Sequence, residues 1–219
     1  MATGLAAALW TANADLARAS LESAFVRGVA DGSLPLDCFG AYVAQDAYFL
    51  DAFARAYALA LAQSLDRHGL EAFHALIGGV LDELRLHASY AARWHVDLSA
   101  SAPADATLAY TSFLLATASL RGVGETCAAM TPCMRLYAYL GQQLAGADAH
   151  AAGTPYQEWI DTYASIEFEA LAATLEALLE RYAEDVEAVR GAYRRAMRLE
   201  LAFFEAHAPA SGGGGSADR

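Results

Sequence analysis

The chain has 219 residues, 56% of them hydrophobic and 18% charged, which is enough to bury a sizeable core and favours one large domain. Its 26 acidic residues outnumber 14 basic ones for a formal charge of −12, and every basic residue is an arginine. Without lysine there is no Schiff-base lysine, Walker-A phosphate loop, kinase catalytic lysine or Ser-Lys dyad, and the acidic field argues against nucleic acid as a partner.

Helices are expected at about 5–28, 36–65, 69–94, 104–121, 125–146, 155–181 and 183–207. The first opens on an apolar stretch without a basic flank, so it reads as helical turns and not as a signal peptide. Asp31-Gly32-Ser33 ends it, and Pro35 opens the second. There Phe39, Tyr42, Val43, Phe49, Leu50, Phe53 and Tyr57 recur at helical spacing and share one side. No segment reaches the roughly 18 uncharged apolar residues of a membrane span. The most apolar, 50–63, carries Asp51 and Arg55, so a soluble protein is expected. Further on, Thr154-Pro155-Tyr156-Gln157 has the residues of a capped helix start, with Thr as cap and Gln as capping-box partner. From 209 the composition changes to a Gly/Ser-rich tail or linker, 209–219. The expected domain, 1–208, is all-α, without strands or internal repeats.

Function must then come from polar and reactive residues inside a helical bundle. In Thr131-Pro132-Cys133-Met134-Arg135-Leu136-Tyr137, the proline starts or kinks a helix. Cys133 is thus expected beside unpaired backbone amides, whose positive field lowers a thiol's pKa and favours the nucleophilic thiolate. The alternative is a buried structural cysteine packed like alanine. Cys38 and Cys127 lack such a context. Three cysteines with no CxxC spacing point to a reducing compartment, and a cytoplasmic location is expected.

Asp46 follows Gln45 in an aromatic-rich stretch, with Tyr42 four residues before it and Phe49, Leu50 and Phe53 three, four and seven after. One reading is a solvent-facing aspartate; against it, this spacing puts the carboxylate on the aromatic face, where it needs a partner such as a side chain or a heterocycle's amino group. Glu200 lies between Arg198 and Phe203-Phe204, either as a surface ion pair or as a buried carboxyl with a raised pKa suited to general acid work. Tyr110 and Tyr163 read as core aromatics with satisfied hydroxyls. Glu83 and His87 stand one turn apart, but a matching second pair is missing, which weakens a di-iron reading. His68, His74, His95 and His150 fall near helix ends or loops and are expected to be solvated.

Together these segments resemble the TenA (thiaminase II) family: Phe25 to Pro35, Gln45-Asp46, Glu83 with His87, Tyr110-Thr111, Pro132-Cys133 with Leu136-Tyr137, Trp159 to Tyr163, and Leu199-Glu200 with Phe203. The chain is similar to the cysteine-bearing branch, and to the TenA-like domain of plant-type bifunctional thiamine-monophosphate phosphatases. A phosphatase domain follows in those proteins, so the tail would be an interdomain linker. The resemblance implies a haem-oxygenase-like helical bundle, a homotetramer, and hydrolysis of thiamine or of 4-amino-5-aminomethyl-2-methylpyrimidine to the hydroxymethyl form for salvage. No metal and no cofactor are implied. By the same resemblance Cys133 attacks the pyrimidine ring and Glu200 protonates its ring nitrogen. Asp46 holds the amino-pyrimidine edge, Phe49 and Tyr137 flank the ring, and Tyr110 and Tyr163 direct polar contacts around Cys133. The departures are Ala47, where hydroxyl or aromatic residues are common, and Phe204 in place of Trp. A non-catalytic pyrimidine-binding module and a metal-dependent oxygenase on the same fold are the alternatives.

Overall fold

Where the sequence repeats apolar side chains every three or four residues, the backbone is helical. The computed structural model describes residues 4–64, 66–94, 102–146 and 154–209. Among these it holds ten helices: α1 Leu5–Ala12, α2 Ala14–Leu21, α3 Ala24–Asp31, α4 Leu36–Gln63, α5 Arg67–Trp94, α6 Asp105–Leu120, α7 Val123–Gly146, α8 Gln157–Ala164, α9 Ile166–Tyr182 and α10 Glu187–Ala206. No strand occurs among the described residues. The tail from 210 onward, His95 and His150 lie outside them; His68 and His74 are exposed as expected.

The greater number of helices comes from polar breaks inside two expected ones. Asn13 leaves the helical conformation between α1 and α2, and its amide donates to the Leu9 carbonyl at 2.8 Å. Ser23 caps α3 by accepting from the Val26 N–H at 3.3 Å. Ser165 turns extended and caps α9 through the Phe168 N–H at 3.1 Å, which separates α8 from α9. A serine cap followed by acidic Glu167 and Glu169 was the signal in the sequence, hidden by apolar periodicity that runs through the break. Gly32 ends α3 with φ 76°, a left-handed conformation that glycine adopts without steric penalty.

The start of α8 differs from the capped helix expected at Thr154. Thr154 Oγ1 does accept from the Tyr156 N–H at 3.4 Å, but residues 155 and 156 form a turn and the helix begins at Gln157. The Gln157 amide donates forward to Asp161 instead of back to the cap, because the turn carries it onto the exposed face.

Helix α4 packs between α5 and α6, and α7 packs against α8, α9 and α10. All seven large residues expected on one side of α4 are buried. Two side-chain anchors fix this arrangement. The Arg135 guanidinium on α7 donates to both Glu176 oxygens at 2.7 Å and to Glu169 at 2.8 Å, tying α9 down. The Gln45 carbonyl oxygen accepts from the Ala104 N–H at 2.8 Å and the Thr107 hydroxyl at 2.7 Å, satisfying donors at the start of α6. One contact bears directly on the site: a Cβ on Gly141 would lie 2.4 Å from the Tyr163 carbonyl carbon. Only glycine lets α7 and α8 approach so closely, one turn after Tyr137. Among the described residues no helix is long and apolar enough to cross a membrane.

Candidate active site

Pro132 lies inside α7, which continues on both sides of it. It supplies no N–H to the Ala128 carbonyl, while the neighbouring Thr131 hydroxyl donates to the Cys127 carbonyl at 2.7 Å. The proline therefore does not place Cys133 at a helix start. Burial pushes the Cys133 thiol well above its ordinary pKa, and the negative charges of Glu200, Glu83 and Asp46 push it further the same way. The expected position at a helix start is corrected: the Cys133 side chain is buried in mid-helix, where burial and nearby carboxyls oppose the thiolate.

A buried carboxyl also bears on the thiol. Glu200, 1% exposed on α10, accepts a hydrogen bond from the Tyr110 hydroxyl at 2.7 Å. Burial raises the Glu200 carboxyl to about 8, with Asp46 adding to the shift and Tyr110 and Cys133 opposing it. The surface ion-pair reading of Glu200 is thereby corrected. Tyr110 and Glu200, drawn from α6 and α10, are hydrogen-bonded, and Cys133 on α7 interacts electrostatically with Glu200 to complete the unit. Phe49 from α4 covers it, with its ring centroid 4.7 Å from that of Tyr110.

A second unit begins at Asp46. The His87 Nε2–H donates to Asp46 Oδ2 at 2.7 Å, and Nδ1 lies 2.9 Å from the Glu83 carbonyl oxygen. Both partners are acceptors, so a doubly protonated ring satisfies both. Burial opposes that charge, but the Asp46 hydrogen bond and the charges of Asp46 and Glu83 outweigh it and raise His87 to about 9. The Tyr42 hydroxyl accepts from Trp159 Nε1–H at 3.3 Å and lies 3.4 Å from Asp46 Oδ2 and 3.1 Å from the Tyr137 hydroxyl. Tyr163, placed by the Gly141 crossing, packs edge-on to Tyr137 at 4.7 Å and donates to the Glu83 carboxylate. Burial and Asp46 raise Glu83 to about 7 against the opposing effects of His87 and Tyr163. Half-buried Glu83 lines a pocket of about 260 Å³ between α5, α7, α8 and α9, whose wall includes Leu76, Val80, Met134 and Phe168.

The seven residues singled out in the sequence thus all lie in these two adjoining units. Glu83 and His87, considered there as a metal pair, instead orient Tyr163 and Asp46. Among the described residues no group of three His, Cys, Asp or Glu side chains is arranged to hold a metal ion. Tyr42 was visible as part of an aromatic helix face and Trp159 only within a segment of the family resemblance, because their polar atoms gain meaning from partners on other helices. Burial also pushes the Cys127 thiol up, to about 12.

Comparison with known proteins places this geometry in a known group. Residues 16–208 match the TENA/THI-4/PQQC family. The mitochondrial bifunctional TH2 protein of Arabidopsis thaliana is 38% identical over 212 residues; these span 85% of this chain but 34% of the plant protein. An aminopyrimidine aminohydrolase of Halalkalibacterium halodurans is 32% identical over 209 residues, covering 91% of this chain and 93% of that protein. The crystal structure of a TenA family transcription regulator from Silicibacter superposes with a TM-score of 0.84 at 28% identity, covering 93% of this chain and 96% of that one. With its helices, its buried thiol–carboxyl pair and this match along most of its length, the chain belongs to the TENA/THI-4/PQQC family.

Proposed function

We propose that the protein is an aminopyrimidine hydrolase of the thiaminase II type, acting in thiamine salvage. It converts 4-amino-5-aminomethyl-2-methylpyrimidine, or thiamine, to 4-amino-5-hydroxymethyl-2-methylpyrimidine. Its relative from Halalkalibacterium halodurans is named for the aminohydrolase activity. The observation that carries the reading is the buried Glu200 carboxyl, held by the Tyr110 hydroxyl at 2.7 Å and raised to about 8, whose charge bears on the buried Cys133 thiol.

In this reading Glu200 as carboxylate takes the thiol proton while sulfur forms a C–S bond to the pyrimidine ring carbon next to the exocyclic methylene. The displaced electron pair reaches the ring nitrogen, which receives the proton from Glu200. The leaving group departs with its C–N electron pair as a neutral molecule, ammonia from the protonated aminomethyl group or thiazole from the thiazolium. Water then forms the C–O bond at the methylene carbon and gives a proton to the Glu200 carboxylate. The C–S bond breaks as sulfur recovers its electrons, and the proton on the ring nitrogen returns to the thiolate, which restores the aromatic ring and the thiol. Tyr110 keeps Glu200 aimed between sulfur and ring. Because His87 and Tyr42 fix Asp46 through Oδ2, the carboxylate can present its other oxygen to the amino group of the pyrimidine. Phe49 and Tyr137 supply the aromatic faces, and Glu83 orients Tyr163.

Incubation with each substrate, followed by chromatography of the hydroxymethyl product, tests the proposal. Product is expected from at least one of them. Saturable binding of both without any product would replace this reading with that of a pyrimidine-binding module.

The same reading, by family resemblance, takes the protein as a homotetramer. Sedimentation should give a particle of four chains; a monomer at micromolar concentration would contradict it.

A further inference from the structure

The cavity of about 260 Å³ between α5, α7, α8 and α9 has no part in the chemistry proposed above. A dry cavity of about 150 Å³ accepts a benzene-sized ring, so one substituted aromatic ring has room here. Leu76, Val80, Met134 and Phe168 give it apolar walls. Glu83 is the acid drawn back from solvent into that wall, whereas Asp82 and Glu167 stand exposed at the rim and Asp82 is paired with Arg85. Among the described residues no arginine or histidine lines the cavity.

A carboxylate set among apolar walls selects an organic cation. A neutral ring leaves the charge desolvated and unpaired, and an anion is repelled. A small ammonium group, strongly hydrated, gains little from the walls, whereas an aromatic cation fills them and pairs with the charge. The cavity also adjoins the candidate active site. Met134 follows Cys133 on α7. Phe168 packs edge-on to Tyr163 at 4.8 Å, and Tyr163 packs edge-on to Tyr137 at 4.7 Å. Glu83 belongs to both places: it lines the cavity, and its Oε1 accepts from the Tyr163 hydroxyl. The charged groups facing it are Asp46 from α4 and His87 from α5.

We propose that this cavity is the subsite for the leaving half of the substrate, where Glu83 pairs with an aromatic cation, the thiazolium of thiamine. The inference rests on the hydrolase reading and deepens it. With the pyrimidine held at Asp46 beside Cys133, the group on its methylene needs a neighbouring space, and this one matches a thiazolium in charge and shape. Glu83 is then a specificity-determining residue that favours thiamine over the aminomethyl-pyrimidine.

Calorimetric titration at about pH 8.5 with 3,4-dimethyl-5-(2-hydroxyethyl)thiazolium, and with the uncharged 4-methyl-5-(2-hydroxyethyl)thiazole, reads the cavity without turnover. Glu83, raised to about 7, is ionised there. The cation should bind more tightly than the neutral ring. Glu83→Gln, which still accepts from Tyr163, should weaken the cation at least about tenfold and the neutral ring less than about twofold. Retained binding of the neutral ring reports an intact cavity. Asp82→Asn should leave both rings unchanged. In Cys133→Ala, thiamine should displace the thiazolium, while the hydroxymethylpyrimidine binds alongside it. Equal weakening of both rings in Glu83→Gln would overturn the proposal, because a residue that only orients Tyr163 gives that result. Thiamine and thiazolium binding side by side would overturn it too. Product from thiamine without any binding of the thiazolium would sink the subsite alone. Glu83-dependent thiazolium binding with no product from either substrate would instead sink the hydrolase reading and leave the cation pocket standing.

Discussion

Cys133→Ala should reduce formation of the hydroxymethylpyrimidine by at least about three orders of magnitude, because covalent catalysis loses its bond-forming atom. KM or ligand affinity should change little, since the pyrimidine's polar edge is held at Asp46 and its faces by aromatic rings. The fold should survive: the substitution removes one sulfur from a helix position already compatible with alanine, at a cost of about 1 kcal/mol. Steady-state turnover with the aminomethyl-pyrimidine, alongside calorimetric binding of the hydroxymethyl product, separates the two effects. A variant that keeps a tenth or more of wild-type turnover would show that water attacks without a covalent stage. The direction of the thiol shift sharpens this expectation. A cysteine whose pKa is raised by burial and by Glu200, Glu83 and Asp46 has no spontaneous thiolate at neutral pH. It reacts only if its proton has somewhere to go.

That dependence gives Glu200→Gln the second largest expected effect, a loss of about 10²- to 10⁴-fold in kcat/KM. Glutamine preserves shape and can still accept from Tyr110, but it takes no proton from Cys133. The wild-type carboxyl is protonated below about 8 and ionised above it. Wild-type kcat/KM should therefore rise with pH through about 8 and level off above, and the residual activity of the variant should lack that limb. A pH profile that is the same in both proteins would exclude Glu200 as the acceptor.

Stability should move the opposite way. A carboxyl whose folded pKa lies above its ordinary value of 4.5 favours the fold while protonated in both states, and that contribution is lost as pH rises through the folded value near 8. Glu200→Gln should match the wild type near pH 4 and exceed it by about 5 kcal/mol at pH 9, as measured by denaturant unfolding. Under the proposed mechanism this carboxyl is held at the expense of folding free energy, as expected of a group tuned by burial.

The aromatic face of α4 was legible in the sequence because helical periodicity is local: Phe39 to Tyr57 fall on one side whatever packs against them. The end of α3 at Gly32 was legible for the same reason, since the left-handed turn belongs to that residue. Breaks at Asn13, Ser23 and Ser165 were harder to see. Their caps are local, but the apolar stripe on either side runs on as though the helix were continuous. The site residues themselves were named from their types, their spacing and a family resemblance. Their electrostatic states were not readable in that way.

Composition, periodicity and motif spacing, by themselves, determined an all-α chain without lysine chemistry, with Cys133, Asp46 and Glu200 set among aromatic residues. Tertiary structure alone decided that Pro132 continues a helix, that Glu83 and His87 hold Tyr163 and Asp46, and that burial opposes the thiolate beside a carboxyl shifted to about 8. The reason is physical: a side chain's protonation state depends on burial and on the charges and donors brought to it from other helices, and those partners lie tens of residues away along the chain.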